Sequence, residues 1–90
     1  MIAIMAKRPL VLLTAPQLGQ TLLSARKARG MSQAALASRL GLSQPRVSFL
    51  EQNAGNLSLG QLLAWCAVLG LELSVGSRID ESAQRTSAGW

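Results

Sequence analysis

From residue 15 to about residue 70 the apolar positions recur three and four residues apart, while short flanking runs alternate apolar with polar or are continuously apolar. The first pattern predicts short amphipathic helices and the second predicts short strands. Thr14 is placed to cap a first helix, Pro16 falls in its first turn, and Leu18, Leu22 and Ala25 or Arg26 follow at helical spacing until Gly30 stops the run, giving a helix over roughly 15–29. Ser32 can cap a second helix of about two turns, in which Ala35, Leu36, Arg39 and Leu40 repeat at helical spacing and Gly41 suits the left-handed ending. Ser43 is a further cap, Gln44 and Pro45 occupy a first turn that has no intrahelical donors to lose, and Val47 with Leu50 supply an inward stripe up to about Gln52.

The segment NAGN at 53–56 is turn chemistry, after which Ser58 caps a last helix. Its Leu59, Leu62, Leu63, Cys66 and Leu69 are expected to form one wide apolar stripe that closes the core, with Trp65 serving core or dimer packing. LVLL at 10–13 and LELSV at 71–75 read as strands. Two isolated short strands are barely stable, so their pairing is expected across a dimer, where it removes their open edges. The domain organisation expected is therefore a flexible N-terminus over 1–9, one folded unit over 10–75 and a flexible, polar tail over 76–90.

Composition narrows the chemistry. Ninety residues, 49% of them apolar, make one small domain that gains from pairing with itself. There is no histidine, the four acids are dispersed, and the eight glycines are spread singly rather than gathered in a phosphate-cradling loop, so neither a catalytic site, a metal site nor a cofactor is expected. Cys66 is the single cysteine and sits in an apolar run, which suits a buried small hydrophobe in a reducing cytoplasm. No apolar run is long enough for a membrane span. The net charge is +5, and Arg26, Lys27, Arg29, Arg39 and Arg46 cluster between residues 20 and 50 without an Asp or Glu among them, which favours a polyanionic partner over a merely solvated face.

The bend at Gly41 relates the charge to the helices. A small residue, Ala37, lets the two helices approach, Gly41 lets the chain turn, and Leu36, Leu40, Leu42, Val47 and Leu50 point inward and hold the angle, so that the third helix stands out from the body. With Gln33 opening the second helix and Glu51 following the third, residues 15–70 resemble the helix-turn-helix domains of the phage repressor and Cro class. The resemblance implies an all-α, repressor-like helix-turn-helix bundle of four to five short helices, with short N- and C-terminal strands forming an intersubunit sheet in a dimer. It also implies a structural ion pair between Arg26 and Glu51, and double-stranded DNA with an inverted-repeat operator as the partner.

By position, Ser43, Gln44, Pro45, Arg46 and Phe49 lie on the start and outer side of the third helix. Gln44 suits a bidentate contact to adenine, Arg46 a guanine or a phosphate, and Pro45 or Phe49 a thymine methyl group, although Pro45 removes a donor and Phe49 fits the core equally well. Ser32, Gln33 and Ser48 suit phosphate anchoring, assisted by Arg39.

The strand-like LVLL, the run LGLELSV and a polar tail ending in Trp90 further resemble the HipB-type antitoxins, which repress their own operon and bind a HipA-type kinase toxin. That likeness implies a homodimer with such a kinase as partner, and Trp90 as its docking residue. A stand-alone phage- or plasmid-type repressor without a toxin partner shares the same DNA chemistry, and a protein-interaction module whose basic face meets an acidic partner is the reading from another class.

Overall fold

The computed structural model describes residues 2–5 and 9–77. The expected tail, and Trp90 with it, falls outside the described residues from position 78 onward. The described chain forms strands β1 (Ile2–Met5) and β2 (Pro9–Leu12), helices α1 (Ala15–Ala28), α2 (Gln33–Leu40), α3 (Gln44–Gln52) and α4 (Leu59–Leu69), and strand β3 (Glu72–Val75), with a single 3-10 turn at Ala54–Asn56 between α3 and α4. It is a helix bundle with a small three-stranded antiparallel sheet in the order β2-β1-β3.

Each helix begins at a hydroxyl. Thr14 Oγ1 accepts from the Gln17 amide at 3.2 Å, Ser32 Oγ from Ala35 at 3.0 Å, Ser43 Oγ from Arg46 at 3.2 Å and Ser58 Oγ from Gln61 at 3.0 Å, so each first turn has one of its orphan donors satisfied. Around Ser58 the arrangement is reciprocal, because Gln61 Oε1 accepts from the Ser58 amide at 2.9 Å. Gly41 ends α2 with φ 71° and ψ 29°, a left-handed conformation that a side chain resists, and this is what turns the chain from α2 into α3.

Leu22, Leu36, Val47, Leu50 and Trp65 are fully buried, one or more from every helix, and they join into one core with Ile4, Ala37 and Leu69. The indole N–H of Trp65 finds no acceptor there among the described residues.

Three expectations are corrected. Ile2–Met5 is the central strand of the sheet and not part of a flexible N-terminus: Ile4 is 1% exposed and packs in the core. A four-residue apolar strand carries no local signal that separates it from a loose end, and its partners are supplied by distant segments. The strand pairing also runs within one chain. Ile2 faces Leu12 on one side and Val75 on the other, and Ile4 faces Leu10 and Leu73, so β2 and β3 are joined through β1 within the chain, and each is an edge strand of the sheet among the described residues.

The apolar stripe of α4 is narrower than expected, with Leu62, Cys66 and Leu69 facing the core as read from the sequence but Leu59 and Leu63 outside it. Trp65, Cys66 and Leu69 are buried, while Leu59 and Leu63 are 66% and 49% exposed. α4 has no charged residue to mark its outer side, so the spacing does not show how wide its buried face is, and the face that buries the large indole prevails.

β2 is tied to α1 by the amide of Gln17, whose Nε2 donates to the Val11 carbonyl at 2.6 Å while its Oε1 accepts from the Leu13 N–H at 2.8 Å. The sheet is thus fastened to the bundle through Ile4 and Gln17. Ile4→Ala should lower the unfolding free energy by about 2–5 kcal/mol in urea titrations followed by circular dichroism. A loss under about 0.5 kcal/mol would show that β1 is not anchored in the core.

Candidate nucleic-acid interface

The α2-turn-α3 unit owes its angle to Leu36, Ala37, Val47 and Leu50, all buried. With those positions inward, Ser43, Gln44, Pro45 and Arg46 are exposed along the start of α3, Phe49 is on the same outer side at 40% exposed, and Ser48 is half-buried. Phe49 therefore stands outside the core, and the Arg46 guanidinium lies over its ring with 5.3 Å between guanidinium carbon and ring centroid. Ser32 and Arg39 are exposed and Gln33 is half-buried.

Behind this surface lies one buried ion pair. Arg26 Nε donates to Glu51 Oε2 at 2.7 Å and Arg26 Nη2 donates to Glu51 Oε1 at 3.2 Å, a two-pronged contact between side chains that are each more than nine-tenths buried. The third prong of the guanidinium donates from Nη1 to the Met31 carbonyl at 2.8 Å, in the α1–α2 connection. One pair thus links α1, the loop before α2 and the end of α3.

The pair is also the root of a chain of hydrogen bonds that reaches the surface. Gln33 Nε2 donates to Glu51 Oε1 at 2.9 Å, and Gln44 Nε2 donates to Gln33 Oε1 at 2.9 Å. Its direction is dictated chemically: an ionised carboxylate only accepts, so Gln33 must present its NH₂ to Glu51 and its oxygen to Gln44, and Gln44 must in turn donate. What remains on Gln44 is one N–H donor and its carbonyl acceptor, both on the exposed start of α3. What remains on Gln33 is one N–H.

Gly19, which the sequence reading did not single out, sets how closely α1 meets this network. A Cβ there would stand 2.5 Å from the Glu51 carbonyl oxygen, so α1 and α3 touch through main chain at that point. A glycine inside an otherwise helical run is the signal that marks such a crossing, because it costs about 1 kcal/mol in a helix unless packing requires it. The Met31 carbonyl had no sequence signal, since only the fold brings it to Arg26.

An open cleft of about 410 Å³ lies between α1, α2 and α3, lined by Pro16, Gln20, Leu23, Gln33, Glu51 and Gln52. Its carboxylate is already paired, so it offers amide hydrogen bonds and no nucleophile or free base. Burial pushes the Cys66 thiol above its ordinary range, away from the reactive thiolate. Among the described residues no group of His, Cys, Asp or Glu is placed to hold a metal ion, and no helix is long and apolar enough to cross a membrane.

Arg26–Glu51 is the one ion pair among the described residues, which leaves Arg39 and Arg46 exposed without an acid beside them. From Val47 to Ser77 there is no Lys or Arg at all, so the positive charge of the folded part is carried by the α1 end and the α2–α3 unit.

A family model described as Helix-turn-helix matches residues 22–75, more than half of the chain, and so spans α2, the turn and α3 together with the second half of α1, all of α4 and β3. No characterised protein and no solved structure matches the chain significantly.

Glu51→Ala should cost about 3–5 kcal/mol in chemical unfolding, because it leaves the Arg26 guanidinium buried without its carboxylate. Arg26→Met combined with Glu51→Leu should recover much of that loss. A Glu51→Ala protein within about 1 kcal/mol of the parent would mean that the pair is not what holds α1 to α3. Gly19→Ala should cost about 1–3 kcal/mol by the same assay, since it forces the two helices apart.

Proposed function

The chain belongs to the helix-turn-helix family, and from that premise we propose that it is a transcriptional repressor that lays α3 in the major groove of an inverted-repeat operator as a homodimer. The observation that carries this reading is the hydrogen-bond chain Arg26–Glu51–Gln33–Gln44, which leaves Gln44 with one donor and one acceptor at the exposed start of α3. Adenine presents the complementary pair in the major groove, an N7 acceptor beside an N6 donor. A ligand-facing amide held this way has lost its rotational freedom before DNA arrives, so less ordering entropy opposes binding.

In this reading Arg46 contacts guanine, with its guanidinium steadied over Phe49, and Phe49 or Pro45 meets a thymine methyl group. Pro45 costs α3 no hydrogen bond because it stands in the first turn. Ser32, the remaining N–H of Gln33, Ser43, Ser48 and Arg39 hold phosphates, helped by the amides at the starts of α2 and α3. With symmetric protomers, the half-sites fall about 34 Å apart. Such a regulator works in the cytoplasm.

We propose further that the protein is an antitoxin of the HipB type, which represses its own operon and binds a HipA-like kinase toxin through Trp90. Support comes from the strands flanking the helices and from a tryptophan in a polar tail. A stand-alone phage- or plasmid-type repressor is the alternative. Deleting residues 76–90 should abolish capture of the kinase encoded beside the gene and leave operator binding intact, whereas a stand-alone repressor would show neither capture nor any effect of the deletion.

For the DNA reading, fluorescence anisotropy on inverted-repeat and scrambled duplexes is the direct measurement. Gln44→Ala and Arg46→Ala should each cost about 1–3 kcal/mol, confined to particular base pairs, while Arg39→Ala should weaken all duplexes alike and lower the salt slope by about 1. Equal affinity for repeat and scrambled duplex, or losses independent of sequence, would overturn the reading.

A further inference from the structure

The two sides of α4 are unlike. Leu62, Trp65, Cys66 and Leu69 turn towards the core, and Leu59, Gly60, Leu63, Ala64 and Ala67 are exposed. Leu59 and Leu63 stand one turn apart in one row, and Gly60 and Ala64 stand one turn apart in the row beside it, with Ala67 following Leu63. A ridge of leucines next to a strip of glycine and alanine is complementary to its own copy. When a second α4 crosses it about a twofold axis, the leucines of each fill the strip of the other, and the small residues let the axes approach to about 8–10 Å.

Charge selects the same occupant. Two chains of net charge +5 repel wherever their cations face one another. Between Val47 and Ser77 there is no Lys or Arg, Glu51 is buried in its ion pair, and Glu72 on β3 is the other acid. α4 itself has no ionisable side chain except the buried Cys66. Among the described residues the one cation beside α4 is Arg29, whose guanidinium lies against Gly70 at the C-terminal end of the helix, away from Leu59 and Leu63 in its first turns, so copies of this chain meet along that stretch without opposing charges. β2 and β3 are each paired with β1 within the chain, which leaves their outer edges as the competing surface that a substitution at Val75 tests.

We propose that the outer face of α4 is the homodimer interface, with Leu59 and Leu63 of each protomer seated on Gly60, Ala64 and Ala67 of the other. This specifies the homodimer proposed above, and it is measured without DNA, so failure of operator binding and failure of this interface are distinguishable.

The test uses the full chain in light scattering coupled to gel filtration and in sedimentation velocity. The parent protein should run at twice its 9.5 kDa monomer mass. Leu63→Glu should weaken the dimer by on the order of 100-fold with an unchanged far-ultraviolet spectrum. Ala64→Leu, which fills the small-residue strip and keeps the face apolar, should also weaken it and covers the case in which Leu63→Glu does not fold. Val75→Glu, at a position 76% exposed on β3, should leave the protein dimeric, as should removal of residues 78–90. Oxidised protein carrying Leu63→Cys together with Ala64→Cys should form a disulfide-linked dimer and Val75→Cys should not. A parent that is monomeric at about 100 µM, a Leu63→Glu or Ala64→Leu chain that folds and stays as dimeric as the parent, or dissociation by Val75→Glu would overturn the proposal.

Discussion

The buried pair of Arg26 and Glu51 is the constraint on which the rest of the molecule depends. A charge removed from water is costly, and it is tolerated here because every oxygen and most N–H groups involved have a named partner: two guanidinium prongs and the Gln33 amide on the carboxylate, and the Met31 carbonyl on the remaining prong. Apolar residues of similar size fill such space at least as well for stability alone. The pair adds direction, since an acceptor-only carboxylate forces the order of donors and acceptors through Gln33 to Gln44 and leaves a defined pattern at the start of α3. Orientation at the surface therefore begins in the core.

Other features of the bundle serve the same geometry. Gly19 lets α1 press on the main chain of Glu51, Gly41 turns the chain so that α3 stands outward, and the serine caps close the first turns of α2 and α3. Charge is divided between two sides. The exposed cations of the α2–α3 unit lie before Val47, and the stretch beyond it is neutral or weakly acidic up to Ser77. The α2–α3 side thus suits a polyanion, and the exposed face of α4 is apolar. Sheet and bundle are joined by Ile4 in the core and by the Gln17 bonds to β2, so the extended segments at both ends of the domain act as part of one packed body.

What the sequence determined alone was local. Four hydroxyl caps, the glycines at 30 and 41 and the three-and-four spacing of apolar residues placed the first three helices and the start of the fourth to within a residue, because these signals act over one or two turns and depend on nothing distant. The Arg26–Glu51 pairing and the outward set on α3 were legible too, the first through family likeness and the second through the inward positions of Val47 and Leu50. Tertiary structure decided the remainder. Ile2–Met5 became a strand because Ile4 has a core to enter and two strands to bridge, neither of which is encoded nearby. That Leu59 and Leu63 of α4 lie outside was likewise decided by packing, since a helix with apolar residues on every side does not show in its spacing how wide its buried face is. Local hydrogen bonding and backbone freedom are written in neighbouring residues, whereas packing is a property of surfaces that meet only once the chain has folded.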